Sequence, residues 1–287
     1  MTIAPGPSGG VDGRPAPVGR VSVLILVAAF VYLWTPLGQF PALLFDWQYF
    51  GPFIGACVLA ATLAPRGDGA GGIGSRPGVM GLLFFAYTVH QFEEHGYDLF
   101  GQTFAFETYM DSVLGPIMGC TEGTKCPFDR MNIFMINTIM VWWPLGMLIA
   151  LGRGSLTADL CGVAILFVNA ILHIVASLVF GNYNPGLLTA IVVFFPISAY
   201  AVHRLFAIYG ASRTALLHGF IYGVFLHAGL MAATLFTYVF TIVPLWLYPV
   251  ILFAIATVPL VIRLRVTGAA VLDVSGAGSP ATASSGR

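Results

Sequence analysis

The sequence predicts an all-α, polytopic transmembrane helix bundle of about eight spans, and three observations carry that prediction. Across 287 residues the chain is 58% hydrophobic and only 8% charged, where an ordinary soluble domain is roughly a quarter charged. Its mean hydropathy is +0.89, and a soluble fold of this length could not hide so much apolar surface, so lipid is the natural solvent. The third observation is the placement of Lys and Arg, which fall between the apolar runs with a strong bias to one side. Net charge is zero, which offers no basic face for nucleic acid.

A span needs about 20 mostly apolar residues. The chain opens on a Pro/Gly-rich polar stretch, so residues 1–19 are expected to be a disordered tail rather than a signal peptide. Spans follow over 21–37, 46–64, 78–100, 131–151, 157–180, 185–203, 214–240 and 244–263. The second is the weakest, because Asp46, Gly51 and Pro52 interrupt it. Gly219 and Gly223 on the seventh form a small-x-x-x-small step suited to close helix packing. The Gly/Ala/Ser-rich stretch 266–287 reads as a second tail. Residues 20–265 are then one transmembrane domain with a single long loop, 101–130.

With the amino terminus in the cytoplasm, Arg14, Arg20, Arg66, Arg76, Arg153, Arg204, Arg213, Arg263, Arg265 and Arg287 fall inside, and only Lys125 and Arg130 fall outside. The positive-inside rule then predicts a multi-pass cell-membrane protein with both termini cytoplasmic. An odd number of spans would scramble this split. The long loop faces the opposite, oxidising side, where Cys120 and Cys126 are expected to close as a disulfide.

The span 78–100 carries His90-Gln91-Phe92-Glu93-Glu94-His95. Each charge at bilayer depth costs about 2.5–3.5 kcal/mol on insertion scales, and such groups are functional by default. At about 100° per residue, Glu94 sits about 40° from His90 and Glu93 about 60° the other way, with Tyr97 a turn further on. His95 points about 140° away, outside this face. From a 1.5 Å rise, His90 and Glu94 lie about 15 and 9 Å below the helix end. Asn169 and His173, one turn apart on the span 157–180, lie at about 16 and 10 Å from the same side, and Asn137 at about 9 Å.

A His and a carboxylate one turn apart make a metal-ligand spacing. His90, Glu94 and His173, with Glu93 as a further ligand, would suit zinc, iron or manganese. Asn137 and Asn169 would support the ligands or face the substrate. The competing chemistry uses no metal. Two adjacent carboxylates repel, so one keeps its proton, and Glu93, Glu94 and His90 with Asn169 then form an acid/base constellation. Both versions describe an integral membrane enzyme acting on a lipid-soluble small molecule, the second as an isomerase, cyclase or hydrolase. A proton-coupled transporter is the alternative outside enzymology. The loop residues Glu107, Asp111 and Glu122 offer a lid or extra ligands. His227 reads as a hydrogen-bonded core histidine.

The stretch His90-x-x-Glu93-Glu94 resembles the signature of the HxxEE-motif family of multi-pass membrane proteins. Asn169-x-x-x-His173, the turn Tyr183-Asn184-Pro185-Gly186 and the run Leu188-Thr189-Ala190 are also similar to that family. The resemblance covers roughly 80–205 and implies a polar site, while the family's reaction is undefined. The one lysine, Lys125, lies in a loop, which excludes a helix-borne retinal Schiff base. No P-loop or dinucleotide fingerprint is present, so no nucleotide cofactor is expected.

Overall fold

The structure is a computed structural model that describes residues 46–64, 71–120, 126–151, 155–258 and 260–261. The predicted span 21–37, the tails 1–19 and 266–287, Glu122, and Arg14, Arg20, Arg66, Lys125, Arg153, Arg263, Arg265 and Arg287 lie outside the described residues. Among the described residues the chain is helical and holds no strand.

The elements are α1 (Trp47–Leu63), α2 (Arg76–Gln91, continued by a π-turn Phe92–Gly96), α3 (Ala105–Val113) and the short α4 (Gly115–Met118). They continue as α5 (Arg130–Asn137, a π-turn Thr138–Trp142, then Trp143–Leu151) and α6 (Leu156–Phe180). Then come α7 (Leu187–Ala207, with a π-turn Ala190–Phe194), α8 (Arg213–Val239, ending in a π-turn Leu235–Val239) and α9 (Tyr248–Val258). Four start at oxygen-bearing caps. The side chains of Ser75, Asp129, Ser155 and Ser212 accept from the amides of Gly78, Asn132, Ala158 and Ala215 and satisfy donors the first turn leaves open.

Four helices are long and apolar enough to cross a membrane: Arg130–Ile149, Leu156–Phe180, Leu187–Ala207 and Arg213–Val239. These four are counted among the described residues, which do not support the predicted count of about eight. Trp47–Leu63 and Tyr248–Val258 are apolar but shorter, and α2 closes at Gly96 on the polar run that its last turns carry.

α2 lies at the centre of the bundle, with Val79, Leu83, Phe84 and Ala86 fully buried. α6 and α8 approach closely where Gly219 and Gly223 face the backbone of Leu160 and Ala164. A Cβ on either glycine would come within 2.8 or 2.7 Å of that backbone, so the two glycines serve helix packing. Arg76 holds Asp159 across the α2–α6 interface at 2.6 Å, and the aspartate side chain is only 2% exposed. Arg76→Ala should strand a buried carboxylate and lower stability by about 3–5 kcal/mol, read as a fall in melting temperature in detergent. The double variant Arg76→Met/Asp159→Leu should recover most of that loss. A double variant no more stable than the single one would overturn this assignment.

The predicted loop 101–130 contains two helices. α3 and α4 fold back over one end of the bundle. Phe104 takes a left-handed conformation (φ 53°) at the start of α3, and the Arg130 guanidinium stacks 3.4 Å above its ring. Cys120 and Cys126 stand at disulfide distance, with their Cα atoms 5.6 Å apart.

Candidate metal centre

His90 and Glu94 leave α2 on one face, one turn apart, and His173 enters from α6. Glu94 Oε1 is 3.5 Å from His90 Nε2 and 3.2 Å from His173 Nε2. One ligand atom from each residue lies within 4.8 Å of the other two, and all three residues are buried. The imidazole rings meet edge to face, with centroids 4.8 Å apart. This group could hold a metal ion.

The surrounding hydrogen bonds orient both rings. Asn184 donates its amide to the His173 carbonyl at 2.8 Å, so its oxygen accepts from His173 Nδ1–H at 2.6 Å. Thr189 donates its hydroxyl proton to Glu93 Oε2 at 2.5 Å, so its oxygen accepts from His90 Nδ1–H at 2.7 Å. Both Nδ1 atoms thus act as donors, and both Nε2 atoms turn toward Glu94 Oε1. His90 Nε2 is buried without a hydrogen-bond partner. A cation between these atoms is what such a donor set fits, and outer hydrogen bonds of this kind fix metal-binding histidines.

Glu93 stands apart from this group. Its carboxylate accepts from the Leu188 and Thr189 amides at 3.1 and 2.7 Å, from the Thr189 hydroxyl and from the Tyr183 hydroxyl at 2.8 Å. It therefore caps the first turn of α7, where the helix dipole favours an anion, and reaches the metal group only through Thr189 and His90. The sequence placed it beside Glu94 as a ligand. The π-turn 92–96 and the arrival of α7 draw it the other way. Burial and the neighbouring Glu93 carboxylate raise the Tyr183 hydroxyl above its ordinary pKa, so it stays a donor.

His95, read as pointing away, is brought back by the same π-turn. Its Nε2 lies 3.4 Å from Glu94 Oε2, and its Nδ1 lies 3.0 Å from Glu107 Oε1 on α3. Glu107 is buried and folds over the site, while Asp111 is exposed. Asn137 bonds His95 Nε2 at 3.2 Å and accepts from Gln91 at 2.8 Å, and Gln91 in turn accepts from the Trp142 indole at 2.7 Å. Asn169 donates to the Tyr87 hydroxyl at 3.0 Å and faces the cavities beside Glu94. Tyr97 lies beyond the helix end, half exposed, and packs on Tyr49. His227 bonds the Gly223 carbonyl at 2.8 Å, as a core histidine would, and also lines the cavities.

Gly186 makes the close approach possible. Its φ is +95°, and a Cβ there would lie 2.7 Å from His173 Cε1, 2.8 Å from His90 Cε1 and 3.0 Å from Glu94 Cγ. Asn184, Gly186 and Thr189 belong to one short turn and act on the two histidines together. The sequence shows this as the run Asn184-Pro185-Gly186-x-x-Thr189.

The described residues form a helical bundle with four helices long and apolar enough to cross a membrane and a buried group of two histidines and a carboxylate. Residues 81–201 match the family described as "Protein of unknown function with HXXEE motif", whose motif here is His90, Glu93 and Glu94. The matched segment runs from α2 into α7 and contains His173 as well as the motif. No curated protein and no solved structure matches the chain.

Proposed function

We propose that the protein is an integral membrane enzyme acting on a lipid-soluble small molecule through a metal ion held by His90, His173 and Glu94. The observation that carries this reading is the convergence of His90 Nε2, His173 Nε2 and Glu94 Oε1, with each imidazole held in the ligating tautomer by Thr189 or Asn184. Three protein ligands leave a coordination position open, as catalytic sites do. When bound, the ion would supply Lewis acidity or activate water or oxygen. Glu94 would neutralise its charge, His95 and Glu107 would stand beside the site as proton carriers, and α3 would keep bulk water out. Zinc, iron and manganese all suit two imidazoles and a carboxylate.

The test is metal content by elemental mass spectrometry on protein purified in detergent without chelator. Wild type should carry about one equivalent of zinc, iron or manganese, and His90→Ala and His173→Ala should each lose it. Metal-free wild type would overturn the metal reading and favour acid/base chemistry by the same residues. Metal retained in both variants would place it elsewhere.

A further inference from the structure

Two apolar cavities of about 140 and 320 Å³ meet beside Glu94, and the second also reaches His173. They share Glu94, Asn169 and His227, together with Phe106, Met110 and Leu230 as walls. From that common point the smaller runs toward α5, past Ile133, Ile136 and Met140. The larger runs along α6, past Leu172, Ala176 and Phe180. The polar groups therefore sit between two apolar arms, not at the end of one. Among the described residues no Lys or Arg lines either arm, so these walls offer an anionic headgroup no cationic partner. Asn169 adds a further constraint. Its amide nitrogen donates to Tyr87, and its buried Oδ1 has no donor. A buried acceptor is costly when left unpaired, and Asn169 is among the residues that line both cavities. Met110, Met118, Met140 and Met231 supply deformable walls.

We infer, resting on the metal-site reading above, that the substrate is a neutral, largely hydrocarbon molecule whose reacting polar group lies in its interior and bears a hydrogen-bond donor. A hydroxyl or a secondary amide N–H meets this description. One apolar part of the molecule fills the arm toward α5, and the other fills the arm along α6. Asn169 accepts from the donor and sets that group against Glu94 and the ligand imidazoles.

The test compares two isomeric amides on the protein as purified, with binding followed by native mass spectrometry. N-hexylhexanamide carries its N–H in the middle of the chain, and dodecanamide carries its amide at one end. The interior amide should bind about tenfold more tightly, the worth of one added buried hydrogen bond and a filled second arm. Asn169→Leu should erase that preference. Met140→Trp, which fills the smaller arm, should erase it too, and both variants should keep wild-type metal content. Equal binding of the two amides by wild type, or tighter binding of dodecanamide, would overturn the inference. Metal content is read separately on the same samples, so failure here and failure of the metal reading are distinguishable.

Discussion

Glu94→Gln should yield a folded, extractable protein that has lost its metal and its activity. Glutamine keeps the volume and one acceptor oxygen, so packing beneath α3 is preserved. What it removes is the negative charge on which His90, His173 and His95 converge, at 3.5, 3.2 and 3.4 Å. Loss even of an outer-shell partner typically costs 10–100-fold in metal affinity, and loss of an anionic ligand should exceed that, by more than about a hundredfold. The measurements are metal content and melting temperature on the same preparation. Loss of metal with little change in melting is the expected result. A protein that retains metal refutes the ligand role, and one that cannot be extracted folded points to a structural role for the carboxylate.

Gly186→Ala should empty the site without replacing a ligand. The residue's φ of +95° carries a steric cost of about 1–2 kcal/mol for any residue with a Cβ. The new methyl would also press on His173, His90 and Glu94 at once. Gly181→Ala is the control. Gly181 is left-handed too, at φ +67°, but a Cβ there meets nothing within 4 Å. Both variants should lose similar backbone stability, and only Gly186→Ala should lose metal. Equal metal content in the two would show that the turn does not position the ligands.

Part of this arrangement was legible in the sequence. Spacing of four residues put His90 and Glu94 on one face, and counting helical rise from the predicted ends matched their depth to that of His173. Neither step needed knowledge of how the helices pair. The position of Glu93 was not legible, because it depends on amides that α7 delivers from far along the chain. Nor was that of His95, because a π-turn inserts a residue and rotates all that follows, and nothing in Phe92–Gly96 marks it in advance. In the sequence Glu107 reads only as a loop charge offering a lid or an extra ligand. Glu107 is held over the site beside Phe106, whose ring packs on both His95 and His173 at centroid distances of 5.4 and 6.3 Å. The exact number of spans is not supported, since among the described residues four helices are long and apolar enough to cross a membrane and α1 and α9 are shorter.

The segment formed by α3 and α4 is secured at several points. Glu107 ties it to α2, Arg130 clasps Phe104 where it begins, and Cys120 meets Cys126 where it ends. A ceiling fastened on all sides does not swing open like a door. Under the proposed function, traffic to the metal group then passes sideways between helices, out of the bilayer itself. Such an enzyme would respond to the mole fraction of its substrate in the membrane rather than to its aqueous concentration. Diluting the bilayer with inert lipid would slow it, and adding buffer would not.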